Sequence, residues 1–216
     1  MPNLSRPWSV LSLFFCLLAA PLARAQQAAP ETPLARQLDR IKLGVTGIGV
    51  ITKKVSGTNY LGQQITQDPS TTVGVFANAS YTASKWIGLE ANFSQARFTE
   101  NFNIPPGGVQ TRANEYSAGW LIHPVDDFFG FKPFVSVGAG TTGFHPTRGG
   151  GEGLPFQYRA TYYYNVGIDR PVTDHFGIRV HFRQAFYKAP DFLTNYLTIQ
   201  QRTNTIEPGA GFYLRF

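Results

Sequence analysis

The chain of 216 residues contains few of the side chains on which most catalytic and metal chemistry depends. It has one cysteine, one methionine and four histidines. The only cysteine, Cys16, lies in an N-terminal segment with the features of a removable signal, so the mature chain is expected to have none. That excludes disulfides, thiolate catalysis and cysteine-based metal sites. No His, Asp and Glu residues follow a metal-ligand spacing, so we expect neither a metal nor another cofactor.

Long hydrophobic runs are also scarce. The one clear run, residues 10–20, follows Arg6 and precedes Ala23-Arg24-Ala25. A basic start, an apolar stretch and an A-x-A site predict a signal peptide over residues 1–25. An uncleaved anchor is the alternative, but the run is shorter than the ~20 residues of a spanning helix. Residues 26–39 are predicted to be a short periplasmic leader. If the remaining chain crosses a membrane, it must do so as a closed barrel of strands.

Charge is moderate, at 15% of the residues, with a formal net charge of +6 that falls to +4 without Arg6 and Arg24. This mild excess alone would allow a nucleic-acid partner. No basic cluster is interleaved with aromatic residues in the way such a surface needs, so we expect no nucleic acid. The exposed basic residues are instead expected in loops that face lipopolysaccharide phosphates.

Regular alternation is the strongest positive feature, and it is clearest in the last segment, residues 206–216. Apolar residues occupy its even positions, namely Ile206, Ala210, Phe212, Leu214 and Phe216. Small, charged or hydroxylated residues occupy its odd positions, namely Glu207, Gly209, Gly211, Tyr213 and Arg215. A barrel in the bacterial outer membrane alternates in this way, with apolar residues toward lipid and polar residues toward the lumen.

Eight segments alternate in this way, at residues 40–53, 71–83, 86–98, 112–123, 132–143, 156–168, 176–188 and 203–216. Each has about the length of a tilted membrane strand. The first is irregular, because its apolar phase shifts after Gly47 to Ile48 and Val50. A β-bulge or an end of the bilayer near Gly47 would explain this shift.

The connections between these segments alternate in length. The long ones are 54–70, 99–111, 144–155 and 189–202, and the short ones are 84–85, 124–131 and 169–175. Outer-membrane barrels have short periplasmic turns and longer extracellular loops. The sequence thus predicts an all-β protein, an eight-stranded antiparallel up-and-down transmembrane β-barrel over residues 40–216. Aromatic girdles are expected at the periplasmic rim (Trp86, Phe131, Phe176, Phe216) and at the outer rim (Phe98, Phe156, Tyr158, Phe186).

Six charged residues fall on the lumen phase of these strands: Glu90, Glu115, Arg159, Arg179, Arg183 and Glu207. Side chains fill the interior of an eight-stranded barrel, so such charges must pair. We expect a structural network of arginine–carboxylate salt bridges. An ion pathway through the lumen is the functional alternative. Asp169, Arg170 and Asp174 are assigned to a solvated turn.

Enzymatic chemistry has little support in the sequence. The four histidines, His123, His145, His175 and His181, lack a serine and an acid at a spacing that indicates a hydrolase. Residues 138–143 fit the dinucleotide fingerprint, but a loop rather than a helix follows them. We predict that the protein is not an enzyme.

The chain resembles the small eight-stranded outer-membrane barrels, a family that includes the membrane domain of outer-membrane protein A and the opacity-type proteins. The residues that carry the resemblance are 132–140, 169–174, 176–180 and the terminal Phe216. In the family, alternate apolar residues that end on phenylalanine form the signal read by the outer-membrane assembly machinery. The resemblance assigns that role to Phe212, Leu214 and Phe216, in a protein surrounded by outer-membrane lipids.

The resemblance implies envelope structure or surface interaction through long extracellular loops, with an extracellular partner that the sequence does not identify. A narrow channel or a lipid-handling barrel is the alternative. A soluble carrier of the lipocalin type is a third possibility. A lipocalin has an apolar interior and a wetter exterior, so it would require the opposite orientation of every strand.

Overall fold

A computed structural model of the protein describes residues 37–104 and 106–216, which form ten strands. The strands are β1 (Ile41–Thr52), β2 (Val55–Thr58), β3 (Gln64–Pro69), β4 (Thr72–Thr82), β5 (Ile87–Phe102), β6 (Gly107–Ile122), β7 (Lys132–Pro146), β8 (Gln157–Pro171), β9 (Phe176–Lys188) and β10 (Arg202–Arg215). In the part of the chain described, no helix has the length and apolar character needed to cross a membrane. The predicted signal peptide and most of the predicted leader lie outside these residues.

The strands form one closed antiparallel barrel. Neighbours in sequence pair from β5 through β10, and β1 closes the cylinder by pairing with both β4 and β10. Strands β1 and β2 share one register against β4 and β3, from Ile41↔Tyr81 to Thr58↔Gln64, so each pair acts as one interrupted strand. Counting β1 with β2 and β3 with β4 as one strand each, the barrel has eight strands, which confirms the predicted fold.

A β-bulge near Gly47 is the wrong explanation of the phase shift. The register of β1 against β10 is unbroken from Lys42↔Arg215 to Ile48↔Gly209 and resumes unchanged at Ile51↔Ile206. A one-residue offset occurs elsewhere, between β3 (Pro69↔Glu100) and β4 (Gly74↔Ala96) against β5. Two hydrogen bonds bridge this offset: Ser70 N donates to Thr99 O at 2.9 Å, and Thr99 N donates to Ser70 Oγ at 2.9 Å.

One end of the barrel, the turn end, carries the short connections and the end of β10. From this end, each strand first presents apolar side chains outward and polar ones inward. On β5 the outward residues are Ile87, Leu89, Ala91 and Phe93, whereas Glu90 and Asn92 are buried inside. This is the orientation that a bilayer requires, because the outer surface must be apolar wherever it contacts hydrocarbon.

Toward the opposite end, the loop end, the two faces exchange character. Outward positions on β5 become polar at Gln95 and Arg97, while Phe98 and Phe102 are buried inside. The prediction that Phe98 belongs to the outer aromatic girdle is therefore wrong. Beyond the bilayer the outer surface contacts water, so the apolar side chains are more stable in the interior.

The predicted long loops are largely ordered extensions of the barrel. Strands β5 and β6 pair continuously up to Phe102↔Gly107, and β2 and β3 form a hairpin over most of residues 54–70. Inward side chains of β3, β5, β6, β7 and β9, with residues of the 189–201 segment, form a buried apolar cluster that we call the cap core. It comprises Ile65, Phe98, Phe102, Val109, Phe144, Tyr187, Ala189, Phe192, Leu197 and Ile199. The cap core fills the barrel at the loop end.

Candidate functional site in the barrel interior

The middle of the lumen holds an ion-pair triad formed by Arg183, Glu115 and Glu207. Arg183 on β9 donates through Nη2 to Glu115 on β6 and through Nη1 to Glu207 on β10. Glu207 is its direct cross-strand neighbour, whereas Glu115 reaches it across the lumen. The Arg183 guanidinium also lies 4.5 Å from the centroid of the Tyr163 ring. One cation thus bridges two carboxylates that would otherwise be buried without compensation.

Glu90 lies in the same interior, in a hydrogen-bond cluster whose donors are uncharged side chains. Its Oε1 accepts from Ser136 Oγ at 2.7 Å, from Tyr163 OH at 3.0 Å and from Asn92 Nδ2 at 2.9 Å. No Lys or Arg of the described residues approaches it within salt-bridge distance. Tyr163 links this cluster to the triad, because its ring stacks on Arg183 and its hydroxyl donates to Glu90.

A second ion pair, near the turn end, involves a residue that the sequence assigned to a solvated turn. Asp169 is the last inward residue of β8 and is fully buried. It accepts from Arg179 Nε at 2.7 Å and Nη2 at 2.9 Å, and Lys42 Nζ lies 3.4 Å away. Asp169 and Lys42 were missed, although both share the parity of the other lumen residues on their strands.

Arg159, the sixth predicted lumen charge, is not in contact with the others. It faces the loop end and pairs with Asp191 at 3.1 Å. Asp191 Oδ2 accepts from Thr198 Oγ1 at 3.0 Å, and Asp191 Oδ1 accepts from Gln157 Nε2. The Oε1 of Gln157 accepts from the backbone N–H of Phe192 at 3.0 Å. These bonds fasten the 189–201 segment to β8, where β8 no longer pairs with β9 beyond Thr161↔Tyr187.

None of the four histidines has the surroundings of a catalytic base. His181 lies in the lumen against the Phe76 ring at 5.1 Å between centroids, and neither ring nitrogen has a partner among the described residues. The rings of His123 and His175 form hydrogen bonds with the backbone carbonyls of Pro133 and Arg215, at 3.4 Å and 3.2 Å, and His145 packs against the rings of Phe156 and Tyr158. In the described part of the chain, no group of three or more His, Asp or Glu residues is placed to hold a metal.

The glycine-rich stretch of β7 is explained by packing. Gly138 lies opposite Gly119 on β6, and a Cβ at residue 138 would lie 2.7 Å from the Tyr163 ring and would overlap the Ala118 carbonyl oxygen. The missing side chain leaves space for Tyr163, which connects the triad to Glu90. The resemblance of residues 138–143 to a dinucleotide fingerprint is therefore a consequence of this close packing.

A buried carboxyl lies within the loop-end region, beyond the bilayer. Glu100 is almost fully buried beside the cap core and accepts from Gln67 Nε2 at 2.8 Å. Burial raises its pKa to about 8, and the hydrogen bond from Gln67 offsets only part of that effect. Glu100 is thus protonated in the folded protein over a range in which the unfolded chain has lost the proton.

Glu100→Gln is expected to make the stability of the loop end less dependent on pH. In the wild-type protein, stability should fall as the pH rises from 4.5 to about 8, because the folded state binds the Glu100 proton more tightly than the unfolded state does. Hydrogen exchange of the β3 and β5 amides at several pH values measures this. Glu152→Gln, which changes an exposed carboxylate at the same end, should leave the slope unchanged. An equal slope in Glu100→Gln and wild type contradicts the prediction.

A closed barrel with an apolar outer belt and a charged, filled interior defines a class of protein, the small outer-membrane β-barrels. Residues 14–212 match the family described as the outer membrane protein beta-barrel domain, and the chain belongs to that family. It is an outer-membrane protein. Barrels of this class have short periplasmic turns and longer extracellular loops, so we expect its turn end in the periplasm and its loop end outside the cell.

Solved structures share the fold at low sequence identity. Neisserial surface protein A matches with a TM-score of 0.57 and 12% identity, over 82% of this chain and 97% of that one. The outer membrane protein OprG from Pseudomonas aeruginosa matches with a TM-score of 0.58 and 12% identity, over 82% and 95%. A search of curated proteins finds no match to the sequence. At this identity the likeness extends to the fold alone.

Proposed function

We propose that this is a non-enzymatic outer-membrane barrel that acts through its ordered extracellular end, in surface interaction and in support of the envelope. The cap core is the observation that carries this proposal. Ten buried residues fix the extracellular segments to the barrel, so these segments present a defined surface rather than flexible loops. A pre-ordered surface loses less conformational entropy on binding than a mobile one does.

The tip of the cap has exposed apolar side chains that suit a protein partner. Tyr60 and Leu61, at the turn of the β2–β3 hairpin, are 69% and 59% exposed, and Leu193 is 72% exposed. Side chains of this kind are enriched where proteins meet, especially tyrosine. They lie at the end farthest from the bilayer, so contact with hydrocarbon does not account for their exposure.

Retention of cells that express the protein, on surfaces coated with a panel of immobilised proteins, tests the proposal. We expect expression to increase retention on at least one coating, and Tyr60→Ser/Leu61→Ser to remove most of the gain. Leu38→Ser, a change of an exposed leucine at the periplasmic end, is the matched control and should have no effect. Retention that does not rise with expression on any coating contradicts a role in adhesion to these surfaces.

A row of basic side chains supports a contact with lipopolysaccharide. Arg97, Arg112 and His145 are cross-strand neighbours on β5, β6 and β7, and they face outward just beyond the apolar belt. Like charges placed directly opposite one another destabilise a sheet unless an anion lies between them. We propose that phosphate groups of lipid A supply this anion. Arg97 is held in position by Gln110 Oε1 at 2.6 Å.

Arg97→Gln/Arg112→Gln is expected to reduce the lipopolysaccharide that copurifies with the barrel by about tenfold, because an exposed ion pair contributes roughly 0.2–1 kcal/mol and the double variant loses two of them. Phosphate analysis of the purified protein measures the bound lipid. Arg148→Gln/Lys54→Gln removes one arginine and one lysine from the exposed loop region and is the control. Equal lipid content in both double variants would argue against the site.

The outer-membrane assembly machinery is a second proposed partner. Phe212, Leu214 and Phe216 lie at the periplasmic end of the last strand, β10, and are exposed on its outer side. We propose that the assembly machinery reads these side chains before the barrel closes.

A lipid-handling role is the second candidate, and one feature favours it. Above Thr161↔Tyr187 strands β8 and β9 separate, which leaves a recess of about 460 Å³ in the outer part of the wall. Tyr158, Tyr162 and Phe186 line it beside Lys188 and Arg202. Apolar walls with a cationic edge match a lipid with an anionic headgroup, and mass spectrometry of lipids retained by the purified barrel would detect it.

A further inference from the structure

The periplasmic mouth of the barrel contains a cavity of about 370 Å³ that no role proposed above uses. Its wall is formed by the periplasmic ends of β1, β7 and β10 and by the turns at 83–86 and 123–131. The cavity lies within the volume range of small-molecule sites, about 300–1,000 Å³. It is larger than a single ion needs, since one water occupies about 30 Å³ in the liquid.

Positive charge dominates this cavity. Five of the lining side chains are basic and two, Asp39 and Asp126, are acidic. The basic residues are Arg40, Lys42, Lys85, Lys132 and Arg215. Cavity walls of low dielectric constant concentrate the field of such a cluster and raise the local concentration of anions. The cavity therefore has the electrostatic character of an anion site.

Some of these charges are already engaged and others are not. Lys85 pairs with Asp126, and Lys42 Nζ lies 3.4 Å from Asp169 and 5.4 Å from the Tyr213 ring centroid. Among the described residues, Lys132 and Arg215 have no carboxylate within salt-bridge distance. These two cations and Arg40 therefore face the cavity without a carboxylate partner among the described residues, while Lys42 and Lys85 are paired.

The cavity ends inside the barrel. The Arg179–Asp169 ion pair and the rings of Phe134 and Tyr213, which the Arg179 guanidinium contacts, fill the lumen directly above it. His123, also nearly buried, forms part of the wall. A ligand can therefore enter and leave only from the periplasm, and the cavity is a binding pocket rather than the entrance of a channel.

We propose that the periplasmic mouth binds a phosphorylated small anion, with Lys132 and Arg215 as its principal contacts. A phosphoryl group offers several strong acceptor oxygens and binds to lysine as a point charge and to arginine through a planar fork. The hydroxyls of Thr82 and Ser84 in the same wall are additional donors. The phosphoryl group belongs either to a soluble compound or to the headgroup of an inner-leaflet phospholipid, and the position of the pocket at the mouth of the lumen favours the soluble compound.

Calorimetric titration with pyrophosphate tests the proposal on the protein in phosphatidylcholine nanodiscs. We expect saturable binding that weakens with added salt and is about tenfold or more weaker in Lys132→Gln/Arg215→Gln. Lys54→Gln/Arg148→Gln, an equal loss of charge at the extracellular end, should bind as the wild type does. Absence of saturable binding, or equal affinity in the wild type and the Lys132→Gln/Arg215→Gln variant, overturns the proposal.

Nanodiscs that contain phosphatidylglycerol separate the two sources of phosphate. If pyrophosphate binds equally well in them, the site takes a soluble compound. If binding is lost there and retained in phosphatidylcholine, the anionic headgroup occupies the same site. Should the double variant fail to fold, reductive methylation of the wild-type protein replaces it. Pyrophosphate should then protect Lys132 but not Lys54, and equal labelling of Lys132 with and without pyrophosphate contradicts the assignment.

Discussion

Arg183→Met is expected to destabilise the barrel by about 3–5 kcal/mol, because it leaves Glu115 and Glu207 buried without their shared cation. The methionine side chain fills most of the arginine volume, so the loss of charge rather than a cavity should dominate the effect. Unfolding by urea in lipid vesicles, followed through the change in electrophoretic mobility that boiling in SDS produces, measures the free energy of unfolding.

A triple variant provides the control for Arg183. Replacing Arg183 by methionine together with Glu115→Leu and Glu207→Leu removes the whole triad, and exchange of a buried ion-pair cluster for apolar residues is often neutral or stabilising. We expect the triple variant to recover most of the stability lost in the single one. Equal losses in the two variants would mean that the interior tolerates isolated carboxylates, and the proposed structural role of the triad would be wrong.

Phe144→Ala is expected to cost about 3–5 kcal/mol and to loosen the extracellular cap selectively. Phe144 is fully buried in the cap core, with its ring centroid 5.4 Å from that of Tyr187. Its removal should leave a cavity that the surrounding strands fill only partly. Hydrogen exchange should then speed up in β3, in the outer half of β5 and in the 189–201 segment, and remain slow in the spanning half.

Phe156→Ala is the matched control, because Phe156 is 63% exposed near the same end of the barrel. It should change the free energy of unfolding by much less than Phe144→Ala does. If Phe144→Ala instead accelerates exchange uniformly along β7, the cap and the spanning barrel unfold as one unit, and the separate stability of the cap is contradicted.

The period-two pattern predicted the eight barrel strands well, because within the bilayer each of them has one face toward hydrocarbon and one toward a polar interior. The same pattern could not locate the outer edge of the bilayer. Phe98 keeps the phase of Glu90 on β5, and it is apolar because it lies beyond the membrane and inside the cap core. An aromatic residue near a strand end is therefore ambiguous until the surroundings of that end are known.

The apparent bulge near Gly47 has a related explanation. It faces lipid without an apolar side chain, while Ile48 and Val50 form a small interior cluster with Phe76. An apolar pair on the inner phase looks like a shift of register. Only the pairing with β4 and β10 shows that the strand is regular.

The choice of partners among the lumen charges depends on register, which the sequence does not specify. Arg179 lies directly opposite Asp169, and Arg183 lies directly opposite Glu207. Arg159 has the correct phase but lies too near the extracellular end to reach the triad, and it pairs with Asp191 instead. Phase predicts which side chains point inward, while their height in the barrel decides which of them meet.

We infer that the barrel is filled and acts through its two ends rather than by conduction. Planar-bilayer recording of the purified protein tests it most directly, since Arg183, Tyr163 and the cap core occupy the lumen at successive levels. We predict no discrete conductance steps across the voltage range that the bilayer tolerates. Reproducible steps in the wild-type protein, with an amplitude that changes in Arg183→Met, would contradict the claim and identify the lumen as an ion pathway.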